Sequence, residues 1–206
     1  MKVWDLPTRL YHWLQALLFA ALIISGNQGQ GPHVQLGLAL FTLLLWRVLW
    51  GALGSQTSRF TDFISSPKSL FSYFRGKQGH KAGHNPAGGW MVVLMLLSLL
   101  LQCLSGLVLG GFADNLPYVD LWLTDSVFSF VELLHVVLAK LLPILIVVHL
   151  LAILFYKLRS KPLVWAMVTG YQKHLSAGSV YFVSNKRALL LLVVSVLVTI
   201  AIVVLS

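Results

Sequence analysis

Long apolar runs alternate with short polar gaps along this chain. Five runs stand out: about Leu10 to Gly26, Val34 to Leu53, Trp90 to Gly111, Val127 to Tyr156, and Ala188 to Ser206. At ~1.5 Å of rise per residue, each is long enough to cross roughly 30 Å of hydrocarbon as a helix. Strands would need alternating segments of ~10 residues. In lipid, a helix satisfies its own backbone hydrogen bonds. The fourth run is long enough to tilt or to begin in the interface. Inside the fifth run only Ser195 and Thr199 are polar. The pattern predicts an all-α membrane protein: a four-helix transmembrane bundle over residues 1–173, then a linker and an additional, lipid-facing C-terminal helix over 174–206. No internal repeat is evident.

Composition closes off the other classes. Charged residues make up 10% of the 206 residues and hydrophobic residues 58%, against about 25% charged in a typical soluble domain. So few charges cannot cover a water-facing surface. The net charge of +9 would suggest nucleic acid on a soluble protein. Here the basic residues lie in the gaps, where they set topology. Arg59, Lys68, Arg75, Lys77 and Lys81 lie between runs two and three. Lys157, Arg159, Lys161, Lys173, Lys186 and Arg187 lie between runs four and five, and Lys2 and Arg9 precede run one. The gap between runs three and four holds Asp114, Asp120 and Asp125 and no base. The positive-inside rule then predicts a cytoplasmic N-terminus and an external C-terminus. The opening Met1-Lys2-Val3-Trp4-Asp5 leads into run one without a small-residue cleavage site, so no signal peptide is expected. The single cysteine, Cys103, excludes an intrachain disulfide, a cysteine zinc site, an iron–sulfur cluster and covalent haem attachment through Cys-x-x-Cys-His.

Ionisable residues in a membrane mark candidate sites, and four histidines qualify. His12 lies early in run one, His33 opens run two, and His135 and His149 lie in run four. The last two are fourteen residues apart, within about 40° of four whole turns, so they share a face and are separated by roughly 21 Å along the axis. With the predicted topology the four sort by depth. His12 and His149 form an inner pair, and His33 and His135 an outer pair. Two imidazoles from facing helices suit a six-coordinate haem better than zinc, which takes about four protein ligands, or three and water. The competing reading is that each histidine is simply hydrogen-bonded to a neighbouring helix. Four sorting into two pairs favours the ligand reading.

Other positions fit that arrangement. Arg47 shares the helix face of His33 but lies at the inner end, and Arg9 is one turn before His12. Both are candidates to neutralise haem propionates, although snorkelling to the interface explains Arg9 equally well. Gly37, one turn after His33, and Ser105-Gly106 offer places without bulky side chains for a macrocycle, or ordinary close helix packing. Pro143 lies between the two run-four histidines and can bend that helix. Lys140 is off their face, with Glu132 or Asp125 as its expected partner. His80 and His174, in polar gaps, are expected to be solvated.

Several segments together resemble a known family. Val3-Trp4-Asp5-Leu6-Pro7-Thr8-Arg9-Leu10-Tyr11-His12-Trp13 is similar to the opening of the bacterial cytochrome b561 and nickel-hydrogenase b-type cytochrome family. So are His33 with Gly37, Trp46-Arg47-Val48-Leu49-Trp50-Gly51, Gly83-His84-Asn85-Pro86-Ala87-Gly88, and His135 with His149. Leu163 to Gly170 is similar to the family's usual end. The resemblance spans roughly residues 3 to 173. It implies a four-helix inner-membrane protein with two b-type haems that passes electrons between quinone and a redox partner. Related formate dehydrogenase gamma subunits imply the same pairing, His12 with His149 and His33 with His135. The extra C-terminal helix departs from the family pattern.

The resemblance also implies that the loop entering run three lies beside the inner haem and helps bind a quinone headgroup. His84 and Asn85 are then candidates to hydrogen-bond a quinone carbonyl. The plainer reading of Asn85-Pro86 is a turn that caps the helix. The expected partner is a periplasmic c-type cytochrome or a redox enzyme subunit, docked on the acidic outer loop, and a homo-oligomer is compatible with the pattern. Two alternatives stay open. One is a membrane anchor and electron-transfer subunit of a hydrogenase-like or dehydrogenase-like complex. The other is a haem-free metal or proton transporter that uses the histidines directly.

Overall fold

The computed structural model describes residues 1–28, 31–77, 83–172 and 179–206, and for Gln28 the backbone alone. His80 and His174 lie outside the described residues. Five helices are long and apolar enough to cross a membrane. They are α1 (Leu6–Gln28), α2 (His33–Leu53), α5 (Pro86–Leu109), α7 (Asp125–Leu158) and α9 (Asn185–Leu205). Between them lie the short helices α3 (Phe60–Phe63), α4 (Pro67–Phe74), α6 (Val119–Trp122) and α8 (Leu163–Thr169). Among the described residues every regular element is helical, so the expected all-α class is what the chain adopts.

Four of the five long helices begin where a side chain takes over an orphan backbone N–H, and α2, which follows Pro32, begins without one. Asp5 Oδ1 accepts from Thr8 N at 2.8 Å. Asn85 Oδ1 accepts from Gly88 N at 2.7 Å, with Pro86 in the first turn, where its missing N–H costs nothing. Thr124 and Ser184 start α7 and α9 in the same way. α7 runs unbroken through Pro143.

The long helices alternate in direction. α2 is the central element: α1, α5 and α9 all pack against it, and α7 packs on α5. Leu40, Phe41 and Leu44 of α2 meet Leu99 and Cys103 of α5 and Leu142 of α7 in the main core. A second core joins Tyr11 of α1, Trp46 and Trp50 of α2, and Ala188 and Leu191 of α9. In lipid, helix association rests on close packing and interhelical hydrogen bonds more than on burial of apolar surface. Ser195 and Thr199, the two polar residues within the apolar part of α9, serve that purpose instead of facing lipid. Ser195 is fully buried, and Thr199 Oγ1 lies 2.8 Å from Thr42 Oγ1 of α2. The indole of Trp46 donates to Ala188 O at 2.9 Å. The rest of α9 presents apolar side chains outward, including Leu189, Leu190, Val193 and Leu197.

One end of the bundle carries the N-terminal residues, the α2–α5 connection and α8. Val3 N and Trp4 N both donate to Gly170 O, at 2.7 and 3.2 Å, and Lys2 forms an antiparallel bridge with Tyr171. Gly170 holds a left-handed φ of 86° at the end of α8, and a Cβ there would meet Trp4 O at 2.8 Å. The connection is folded as well: Ser55 and Ser58 are fully buried, and Thr57 Oγ1 donates to Val3 O at 2.7 Å.

Candidate functional site

At the end of the bundle away from the N-terminus, His33 of α2 and His135 of α7 face one another. Their ring centroids are 6.5 Å apart and their planes 79° apart. Each ring is held from behind by a serine of its neighbouring helix. Ser25 Oγ of α1 is 3.0 Å from His33 Nδ1, and Ser105 Oγ of α5 is 3.0 Å from His135 Nδ1. The glycine after each serine makes room for the ring: a Cβ at Gly26 would meet His33 Cε1 at 3.2 Å, and one at Gly106 would meet His135 Cε1 at 3.1 Å. Gln102 Nε2 lies 3.1 Å from His135 Nε2, while Gln102 Oε1 is buried without a partner. One turn along α2 from His33, a Cβ at Gly37 would meet nothing within 4 Å.

Near the N-terminal end of the bundle lie His12, early in α1, and His149, late in α7. His12 Nδ1 and Gln15 Oε1, one turn further along α1, are buried without partners. Among the described residues, no three His, Cys, Asp or Glu side chains converge.

The two arginines occupy the same end. Arg47 is 4% exposed, donates from Nη1 to Ser58 O at 3.2 Å, and stacks over Phe60 and Phe63 at 5.3 and 5.8 Å. A buried guanidinium, planar and permanently charged, suits an anion such as a carboxylate. Arg9 Nη1 donates to Val168 O, while its Nε is buried without a partner. The ion pair found among the described residues is Arg59–Asp62, at a half-exposed surface, where such a pair contributes little. Lys140 is exposed on α7, and neither Glu132 nor Asp125 pairs with it. The expected pairing fails because the intervening turns place these side chains apart along and around a straight helix.

The α2–α5 connection brings His84 and Asn85 to this end. The His84 ring packs against Trp4 at 4.9 Å and Phe63 at 4.8 Å. Part of the residue still reaches the surface, but the ring itself is enclosed. Burial pushes its pKa down to about 3, and the nearby positive charges of Arg47 and His149 add to the shift. His84 is hydrogen-bonded to the backbone of Thr57, which opposes the shift, and its Nδ1 is buried without a partner. Asn85 combines two tasks: Oδ1 caps α5, and Nδ2 donates to Tyr156 OH at 2.8 Å. Tyr156 OH also meets Tyr73 OH of α4. Burial and that shared hydrogen bond push the Tyr73 hydroxyl up to about 12.

Sequence reasoning missed Ser25, Gln15, Gln102, Tyr73 and Tyr156, and took Ser105 only as a small residue. A Ser-Gly dipeptide recurring near the same end of two spans was the available signal for Ser25 and Ser105. The tyrosines carried none, since each gains its role from a helix remote in sequence.

Comparison with known proteins gives one match: the family model of prokaryotic cytochrome b561 covers residues 3–170. No curated protein and no solved structure matches. The residues present fit the group this family holds. A haem b is held without covalent attachment, through axial imidazoles and buried cations near its carboxylates, and paired histidines, unpartnered ring nitrogens and a buried arginine supply that chemistry. The chain therefore belongs to the prokaryotic cytochrome b561 family, and is a multi-pass membrane b-type cytochrome that functions in electron transfer.

Proposed function

We propose that the chain binds two b haems, one held by His33 and His135 and the other by His12 and His149, and carries electrons between quinone and a redox partner protein. The observation that carries this reading is the His33–His135 pair. Metal–nitrogen bonds of about 2 Å on either side of one ion put two imidazole centroids a little over 6 Å apart, and the rings stand at 6.5 Å. The haem iron supplies a one-electron couple. With both axial positions filled by imidazole, the site suits electron transfer and not oxygen binding. Arg47 and Arg9 would meet the propionates of the haem at the N-terminal end, and the open face beside Gly37 would lie against the other macrocycle.

The quinone headgroup is assigned to the His84–Asn85 corner. A neutral His84 that donates to the Thr57 backbone leaves Nδ1 as an acceptor for a quinol hydroxyl. Asn85 holds the Tyr156 and Tyr73 hydroxyls beside it. The charge pattern supports a cytoplasmic membrane location with the N-terminal end inside and the C-terminus in the periplasm. The acidic segment with Asp114, Asp120 and Asp125 would then face a periplasmic c-type cytochrome or a redox subunit. Residues 1–173 would form the haem-binding unit, with 174–206 as an added helix. A reduced-minus-oxidised spectrum with haem quantified per chain tests the reading. Two b haems per chain are expected. A spectrum without b-type bands would favour a transporter that uses the histidines directly.

A further inference from the structure

We propose that Ser25 and Ser105 are positioning residues which fix the tautomer of His33 and His135, so that both histidines present Nε2 to one haem. The inference rests on the reading that these two histidines are its axial ligands. Ser25 and Ser105 are 6% and 4% exposed, so no water competes for their hydroxyls. A serine has one proton to give. Ser25 Oγ donates to Leu22 O at 3.2 Å, and Ser105 Oγ donates to Gln102 O at 3.0 Å, each one turn back along its own helix. Towards the imidazoles the same oxygens can then only accept, and both stand 3.0 Å from Nδ1. The proton of each ring is therefore on Nδ1, and the lone pair is on Nε2. The Gln102 amide, whose Nε2 meets His135 Nε2 at 3.1 Å, matches that assignment on one side.

The arrangement occurs twice, on opposite sides of one site. On α1 it is Ser25-Gly26 against His33, and on α5 it is Ser105-Gly106 against His135. In each case the hydroxyl fixes one ring nitrogen and the following glycine leaves space for Cε1. Without the serine the ring could rotate or exchange tautomers. Without the glycine the ring would be displaced by a few tenths of an ångström or more. An acceptor at Nδ1–H also makes the imidazole a better electron donor to a metal. The two serines thereby hold the potential of this haem below the value it would otherwise take.

The test uses the full-length holoprotein with Ser25→Ala, Ser105→Ala and the double variant, each beside its Thr counterpart, which keeps a hydroxyl. Haem per chain and the midpoint potentials of both haems are measured. The Ala variants should retain both haems and shift the one-electron equilibrium of the affected haem several-fold toward the reduced state, short of the ~59 mV that a tenfold change represents. The other haem should be unmoved, and Thr should restore the original potential. If an Ala variant loses the affected haem, a Thr variant that keeps it at the original potential supports the inference, and one that loses it too overturns it. An unchanged potential in the double Ala variant, or an equal shift in both haems, also overturns it. His33→Ala separates the two levels of the argument: if that variant retains both haems, the ligand reading itself fails, whatever the serine variants do.

Discussion

The imidazole planes of His33 and His135 stand 79° apart, close to perpendicular. Were these two rings to hold one haem iron, imidazoles at this angle would donate about equally into two orthogonal iron orbitals and leave them nearly degenerate. The ferric low-spin signal of a haem held by this pair should therefore be strongly anisotropic in electron paramagnetic resonance. A rhombic signal of the kind given by parallel imidazoles, lost on His135→Ala, would contradict the geometry.

The His33–His135 pair and the proposed His12–His149 pair draw on opposite ends of α7. His135→Ala should remove the haem at the far end and spare the one near the N-terminus, and His149→Ala should do the reverse. Optical spectra with haem quantified per chain read this directly. Loss of both haems from either variant, with the fold intact by circular dichroism, would rule out independent sites.

Thr199 is joined to Thr42 across the α2–α9 interface. Interhelical hydrogen bonds in membranes average about 0.6 kcal/mol, so Thr199→Val should lower stability by roughly that amount. Deleting residues 174–206 should lower thermal stability further, because Trp46 loses its acceptor on α9, while haem per chain stays near two. A ratio near one would show that α9 is needed to hold a haem site.

His84 has a folded pKa near 3, well below the ordinary 6.5. As pH falls through 6.5, the unfolded chain takes up a proton that the folded chain does not, and folding loses stability progressively down to about pH 3. Above pH 6.5 the group contributes no pH dependence. The thermal midpoint of His84→Gln should therefore fall less steeply than wild type between pH 6.5 and 4.5, and run parallel to it above pH 7. Parallel curves at all pH values would show that the ring is solvated.

The five spans were legible because apolar runs of this length have few other fates in a protein with so few charges. Their first turns were less so. The third run was placed from Trp90, whereas α5 starts at Pro86, because Asn85 and Pro86 look polar while supplying the cap. The pairing of histidines followed from depth and helix direction, both readable from charge, and His33 and His135 do face one another. The path of the α2–α5 connection was hidden, since Thr57, His84 and Gln56 are held by Val3, Trp4 and Tyr181, which are remote in sequence. Lys140 had a partner by charge but none by geometry. The roles of Ser25 and Ser105 depend on where a single proton goes, and a residue string does not record that.

The paired strand-like segments at Lys2 and Tyr171, with Gly170 O accepting from both Val3 and Trp4, constrain the order of assembly. The backbone N–H groups of Val3 and Trp4 find their acceptor, Gly170 O, only once the end of α8 has left the ribosome. Four long helices, α1, α2, α5 and the whole of α7, are synthesised before this contact can form. Closing so long a loop is slow compared with local helix formation. His12 likewise gains its proposed partner His149 only once α7 is made, whereas Ser25 and His33 meet within a single helical hairpin. Biogenesis should then be staggered, with a half-site at the far end prepared early and the site near the N-terminus completed last.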